Sequence, residues 1–256
     1  KHGEVYMSGS IVHNEKVVSD LKDAGAKIVR SFDDIPQNSP ILFRAHGTVN
    51  KLWDKAKSKK MNIIDATCPL VHEIHDEVKR MKEDGVEKVV ALCLAPQFST
   101  WSTQLYFNVF KEALKKHDAE DLDVRYIGSW ADHPLLIDAF EEKYRIALEK
   151  LGPNSEESLY TIFTAHSIPS QSLELGDPYS EEFDKTINKI VERVQPRKWF
   201  KAYQSQGMIP VPWLGPTVES VLEKIAKQGS KKVLIVPVGF VCDHVEILFD
   251  IDIEFN

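Results

Sequence analysis

YTIFTAHSIP, residues 160–169, decides how this chain folds. Its first five residues are aromatic, aliphatic or β-branched, the composition of a buried strand. The run turns polar at His166 and is stopped by Pro169, which leaves a histidine at the carboxyl-terminal edge of the strand. The same layout recurs downstream. KVLIVP (232–237) runs into GFVCDHVE, which carries Asp243, His244 and Glu246. The strand ending near Tyr203 runs into QSQG and then into PVPWLGP, which carries Trp213. Open parallel sheets bind ligands beyond the carboxyl ends of their strands, so these motifs converge on one cleft by topology.

Outward from that strand, short apolar runs alternate with amphipathic stretches along the whole chain. Strands are expected at 5–7, 27–29, 41–43, 62–64, 89–93, 124–127, 160–164, 199–203 and 232–237. Helical patterns lie between them at 15–24, 49–59, 70–83, 103–116, 134–151, 181–194 and 217–228. Gly25, Gly85 and Gly229 stand where helices end, and Pro134 suits a first helical turn. Strand–helix alternation predicts an α/β fold: two doubly wound, Rossmann-like, three-layer α/β/α domains with mainly parallel sheets. The polar loop LGPNSEES (151–158) marks a seam, so domains are expected at 1–130 and 131–256.

The composition excludes several classes of function. Of 256 residues, 43% are hydrophobic and 28% charged, as in a globular protein. A net charge of −7 and the absence of any dense basic run exclude a nucleic-acid binder. No apolar stretch approaches the ~20 residues of a membrane helix. KHGEVYMSGS lacks the apolar segment of a signal peptide, and three widely spaced cysteines fit free thiols in a reducing cytoplasm. The chain opens without Met, directly at an expected strand, and so reads as a fragment.

In GFVCDHVEILFDIDIE (239–254), Glu246, Asp250 and Glu254 recur four residues apart. On a helix they share one face, where like charges repel and no lysine intervenes. A neutral imidazole with carboxylates suits a divalent iron or zinc ion, and the same groups accept protons. Taken singly, a histidine after a strand is more often a structural residue and an acidic row a solvated face. Several such motifs on one edge weigh against both.

LAPQFSTWST (94–103), FTAHSIP, GDPYSEEF, AYQSQG…PVPWLGPTVE and VPVGFVCDHVEILFDIDIE together resemble ferrochelatase, in family order from about 81 to 256. The resemblance implies insertion of Fe²⁺ into a porphyrin, in haem biosynthesis, by a lyase of the chelatase fold. It implies that His166 and Glu246 face each other across the porphyrin cleft as the catalytic, metal-delivering pair. It also implies that Asp250 and Glu254 continue as an outer metal row, and that Ser205 and Trp213 belong to the porphyrin pocket. The implied partners are a porphyrin and a divalent metal, with the chain a monomer or weak oligomer. No resident cofactor is required, although Mg²⁺ or Zn²⁺ fits the acidic row.

The first 80 residues differ. GSIVHNEKVVSDLKDAGAKIV…RAHGTV…IIDATCPLV, over about 3–80, resembles 4-hydroxy-3-methylbut-2-enyl diphosphate reductase. That resemblance makes His13 and His46 diphosphate contacts and Cys68 a ligand of a 4Fe–4S cluster. The family's other two cluster cysteines fall in segments this chain lacks, so all three residues read as vestigial and no cluster is expected. The chain therefore reads as a chimera, reductase-like to about 80 and ferrochelatase-like after. Its activity is expected to be impaired, with one wall of the porphyrin pocket replaced and the carboxyl-terminal end cut short.

Overall fold

The computed structural model describes residues 4–9, 15–29, 31–43, 48, 50–66, 69–152, 157–207, 210–230 and 232–255. Nine strands were expected, and each is present within a residue or two: β1 Val5–Ser8, β2 Ala26–Val29, β3 Pro40–Phe43, β4 Asn62–Asp65, β5 Lys88–Leu92, β6 Asp123–Ile127, β7 Tyr160–His166, β8 Trp199–Gln204 and β9 Val233–Val236. The helices are α1 Glu15–Asp23, α2 Asn50–Ser58, α3 Pro69–Glu83, α4 Thr103–Lys116, α5 Pro134–Leu151, α6 Gln171–Glu174, α7 Tyr179–Val194, α8 Val218–Lys227 and α9 Val245–Phe249. A 3₁₀ turn at Phe32–Asp34 and a π-helix at Asp250–Glu254 complete the described elements. Gly25, Gly85 and Gly229 take φ of +102°, +69° and +79° after their helices, which a residue with a Cβ adopts only at a cost.

The chain divides into two compact units. One comprises Lys1–Glu87 with Val109–Leu122, and the other Lys88–Asn108 with Asp123–Asn256. Residues 88–108 and 123–130 thus lie with the second half, whereas the sequence pattern alone places the division near 130. All described strand ladders are parallel, as the alternation of strand and helix predicts.

In the first unit the sheet order is β2-β1-β3-β4. Ile41 and Phe43 of β3 are fully buried with Phe32, Ile35, Ala56 and Met61, and Trp53 of α2 meets Phe43 edge-on at 4.8 Å.

The second unit holds the β5-β6 pair and a sheet of order β8-β7-β9. β7 is the central strand and is buried on both faces, which explains its near-continuous apolar run. Phe163 and Ala165 point to one side, into a core with Ile137 and Tyr144 of α5 and Phe183, Ile187 and Ile190 of α7. Tyr160 and Ile162 point to the other, against Val218, Val221 and Ile225 of α8. The alternation has the two-residue period of a strand, and the α7 and α8 residues keep helical spacing, so this sheet is covered on both faces. Because β8 and β9 lie on opposite sides of β7, the carboxyl end of β7 is a topological switch point, the position at which open α/β sheets bind ligands.

Candidate active site

His166 is the last residue of β7, at that switch point. The loop after β9 is brought to it by Gly239, whose N–H donates to the Thr164 carbonyl at 3.1 Å. A Cβ on Gly239 would stand 2.8 Å from both Cα and Cβ of Ala165, so only glycine lets this loop lie against the end of β7. His244 then caps α9, its Nδ1 accepting from the Ile247 N–H at 3.4 Å. The cap starts the helix so that Glu246, in its first turn, reaches His166. Nε2 of His166 and Oε1 of Glu246 are 3.3 Å apart, with the side chains 38% and 52% exposed.

On its other side the imidazole is 2.6 Å from the Ser167 carbonyl through Nδ1. A carbonyl only accepts, so Nδ1 carries the hydrogen and Nε2 is the basic nitrogen turned to Glu246. Burial pulls the pKa of His166 down. The hydrogen bond to Glu246, the Ser167 carbonyl and the charges of Glu246 and Asp250 outweigh it, and the net value lies above that of a free imidazole. Tyr179, at the start of α7, fixes the strand end by donating its hydroxyl to the His166 carbonyl at 3.0 Å.

Asp250 opens the π-helix and is 4% exposed. Gln204 Nε2 donates to its Oδ2 at 2.7 Å, and the Ser205 hydroxyl donates to the same oxygen. The acidic row is thus not one α-helical face. The chain is α-helical to Phe249, and from Asp250 it takes the wider π turn, closed by the Phe255 N–H on the Asp250 carbonyl at 2.9 Å. Glu254 is exposed, and its pKa is raised by what burial it has and by the charges of Asp250 and Glu219.

Trp213 belongs to a loop stitched to the segment after β7. Ser170 N–H donates to the Pro212 carbonyl, Leu214 N–H to the Ile168 carbonyl, and Ser167 Oγ to the Leu214 carbonyl, each at 2.9 Å. Its indole lies over Gly207, where a Cβ would come within 2.6 Å of Cη2.

The structure therefore brings His166 to Glu246 and Ser205 to Asp250, and places Glu254 a turn further along. Among the described residues, no three His, Cys, Asp or Glu side chains converge on a single metal position. His13, His46 and Cys68 lie outside the described residues. Sequence reasoning missed Gln204, Gly239 and Tyr179. Gln204 carries the same positional signal as His166, being the last residue of its strand and its register partner on β8.

The family model for ferrochelatase matches residues 15–256. The chain belongs to the ferrochelatase family. The ferrochelatase of Deinococcus radiodurans is 37% identical over 182 residues, 70% of this chain and 57% of that relative. The coproporphyrin III ferrochelatase of a Geobacillus strain is 36% identical over 182 residues, 71% of this chain and 58% of its own. The chain thus spans less than two thirds of the length of these ferrochelatases. A diphosphate reductase structure from Plasmodium falciparum aligns with 100% of this chain and 79% of its own at 16% identity, with a TM-score of 0.39, a value that establishes no common fold. No described helix is long and apolar enough to cross a membrane.

Proposed function

We propose that this ferrochelatase-family chain inserts a divalent metal, Fe²⁺ in the cell, into a porphyrin in the cytoplasm. The observation that carries the reading is the pair His166 Nε2 and Glu246 Oε1, 3.3 Å apart at the switch point and able to share one proton. For each metal ion that enters the macrocycle, two pyrrole N–H protons leave it. A site for this reaction needs bases beside the ring and oxygen or nitrogen ligands that replace the water of the incoming ion. His166 and Glu246 offer both, since either atom can hold a proton or a cation. Asp250 and Glu254 supply the outer acidic positions along the same helix, and Ser205 and Trp213 contribute to the pocket that receives the ring.

We further infer that the first 80 or so residues descend from the reductase line, joined within a parallel α/β layer that accepts βα units of either origin. The motifs IVHN, RAHG and DATCPLV, in that family's order, support this. With that segment replaced, turnover is expected to be slow. Broad visible absorbance of a 4Fe–4S cluster after anaerobic iron–sulfide reconstitution would overturn the reading of Cys68 as vestigial.

The main reading is tested by anaerobic incubation with Fe²⁺ or Zn²⁺ and protoporphyrin or coproporphyrin, following the metalloporphyrin spectrum. Glu246→Gln and His166→Ala are each expected to lower the rate by about 100-fold or more, the scale of acid–base catalysis. Turnover that Glu246→Gln leaves unchanged removes the assignment.

A further inference from the structure

Three features that work against stability meet at Asp250. Gln204 is 2% exposed, on the same face of the sheet as the fully buried Ala202, and its Oε1 has no hydrogen-bond partner among the described residues. A buried amide with an unmet acceptor destabilises a fold, and a methionine of similar length would fill the space without that defect. Ser205 takes φ of +57°, a conformation a residue with a Cβ adopts only under constraint. The helix that carries Asp250 turns from α to π at that residue, a rare distortion that recurs at functional sites. Packing accounts for none of the three. The first two place donors on one carboxylate oxygen, Asp250 Oδ2, and the third is in the backbone of Asp250 itself.

We propose that Gln204 is a positioning residue of the metal-handling site. With Ser205 it pins Asp250 through Oδ2, holding the carboxylate in one orientation and leaving Oδ1 for a divalent cation that passes toward His166 and Glu246. Gln204 is suited to this by register. It pairs with His166 across the β7–β8 ladder, and its own carbonyl accepts from the Ser167 N–H at 2.7 Å. One residue thus ties the His166 segment through its backbone and Asp250 through its side chain. The inference rests on the reading of His166 and Glu246 as the metal-delivering pair.

The test is Zn²⁺ binding to the full chain, by calorimetry without porphyrin, together with the KM for metal and for porphyrin. Gln204→Met is expected to weaken Zn²⁺ binding 10–100-fold, as loss of a group supporting a metal ligand does. The KM for metal should rise and that for porphyrin stay constant. Ser205→Gly removes the second donor and relieves the backbone, so it serves if Gln204→Met does not fold. The double variant Gln204→Met/Asp250→Asn should bind no more weakly than Asp250→Asn alone. Thr164→Val, which removes a buried hydroxyl on the same face that has no partner among the described residues, should leave Zn²⁺ binding unchanged. Unchanged affinity in both Gln204→Met and Ser205→Gly overturns the inference, as does a parent chain that binds no Zn²⁺, or a Thr164→Val defect of equal size. If Zn²⁺ affinity responds as expected while the parent metallates no porphyrin, the proposed reaction falls and the positioning role stands.

Discussion

Gly239→Ala separates the role of one close approach from general packing. The added methyl would stand 2.8 Å from Cα and Cβ of Ala165 and 3.5 Å from the His166 nitrogen. Two of these atoms are backbone in the middle of a three-stranded sheet, so the loop rather than the strand must yield. Overpacking of this kind costs about 1–3 kcal/mol. Moving the loop also lengthens the Gly239–Thr164 hydrogen bond and carries His244 and Glu246 away from His166. Both stability and the active site should therefore suffer from one methyl group. Gly128→Ala is the control, because its Cβ would touch only the Phe98 ring, at 3.4 and 3.8 Å. It should be neutral within about 0.5 kcal/mol. Four of the five tryptophans, Trp101, Trp130, Trp199 and Trp213, belong to the second unit, so urea unfolding followed by tryptophan fluorescence reports chiefly on that unit. Zn²⁺ insertion into porphyrin, the proposed reaction, reads the site. If Gly239→Ala unfolds at the parent's urea midpoint and keeps its rate, the loop is not held by that contact and the account of how Glu246 reaches His166 is wrong.

Other expectations follow from buried polar groups. Asp177 accepts from Ser99 Oγ at 2.9 Å, Thr100 N–H at 2.8 Å and Tyr179 N–H at 2.9 Å; Asp177→Ala strands these donors and should cost about 3 kcal/mol or more in urea unfolding. In the first unit, burial, followed by Lys116, His117 and His72, holds the pKa of His75 below the free value, with Asp76 opposing. The folded state thus binds the proton less readily than the unfolded chain. The stability contributed by neutral His75 is present above about pH 6.5 and is lost as pH falls below it, a loss that His75→Gln should flatten in thermal melts between about pH 7 and 5. His166 is shifted the other way, so in metal-free protein its NMR titration midpoint should lie above the free imidazole value. Glu246→Gln should lower it, and a midpoint that does not move would show that the 3.3 Å contact is not populated in solution.

The strands were legible because each is a short apolar run between polar turns, and β7 most of all because both its faces are buried. Less visible were elements whose reason is tertiary. α7 starts at Tyr179, two residues before the expected 181, because the Asp177 side chain accepts from the Tyr179 N–H and takes up one of the first free donors of the helix. α6 is a single turn, too short for any apolar period to show. The division into units was hidden for a different reason. The chain leaves the second unit at Val109, on α4, and returns at Asp123, on β6, and no glycine or proline cluster marks either crossing.

The acidic row shows where sequence periodicity stops being informative. Spacing of four in Glu246, Asp250 and Glu254 predicts three equivalent carboxylates on an α-helix, yet they occupy three different environments. Glu246 is half exposed against an imidazole, Asp250 is buried against an amide and a hydroxyl, and Glu254 is exposed with its pKa raised. The difference begins at Asp250, where the helix widens, and the partners that hold Asp250 are the last residue of β8 and the one after it, some 45 residues earlier in the chain. No local pattern encodes that. Repulsion along the row is relieved unequally, by a histidine at one end and by two donors in the middle, so Asp250 is the best-fixed of the three carboxylates. If the proposed metal path enters at the exposed Glu254, Glu254→Gln should slow metal capture at low metal concentration and leave the saturated rate intact, whereas Glu246→Gln should lower the saturated rate itself. A Glu254→Gln variant that loses saturated rate would place Glu254 with the reacting groups and remove its role as the entry point.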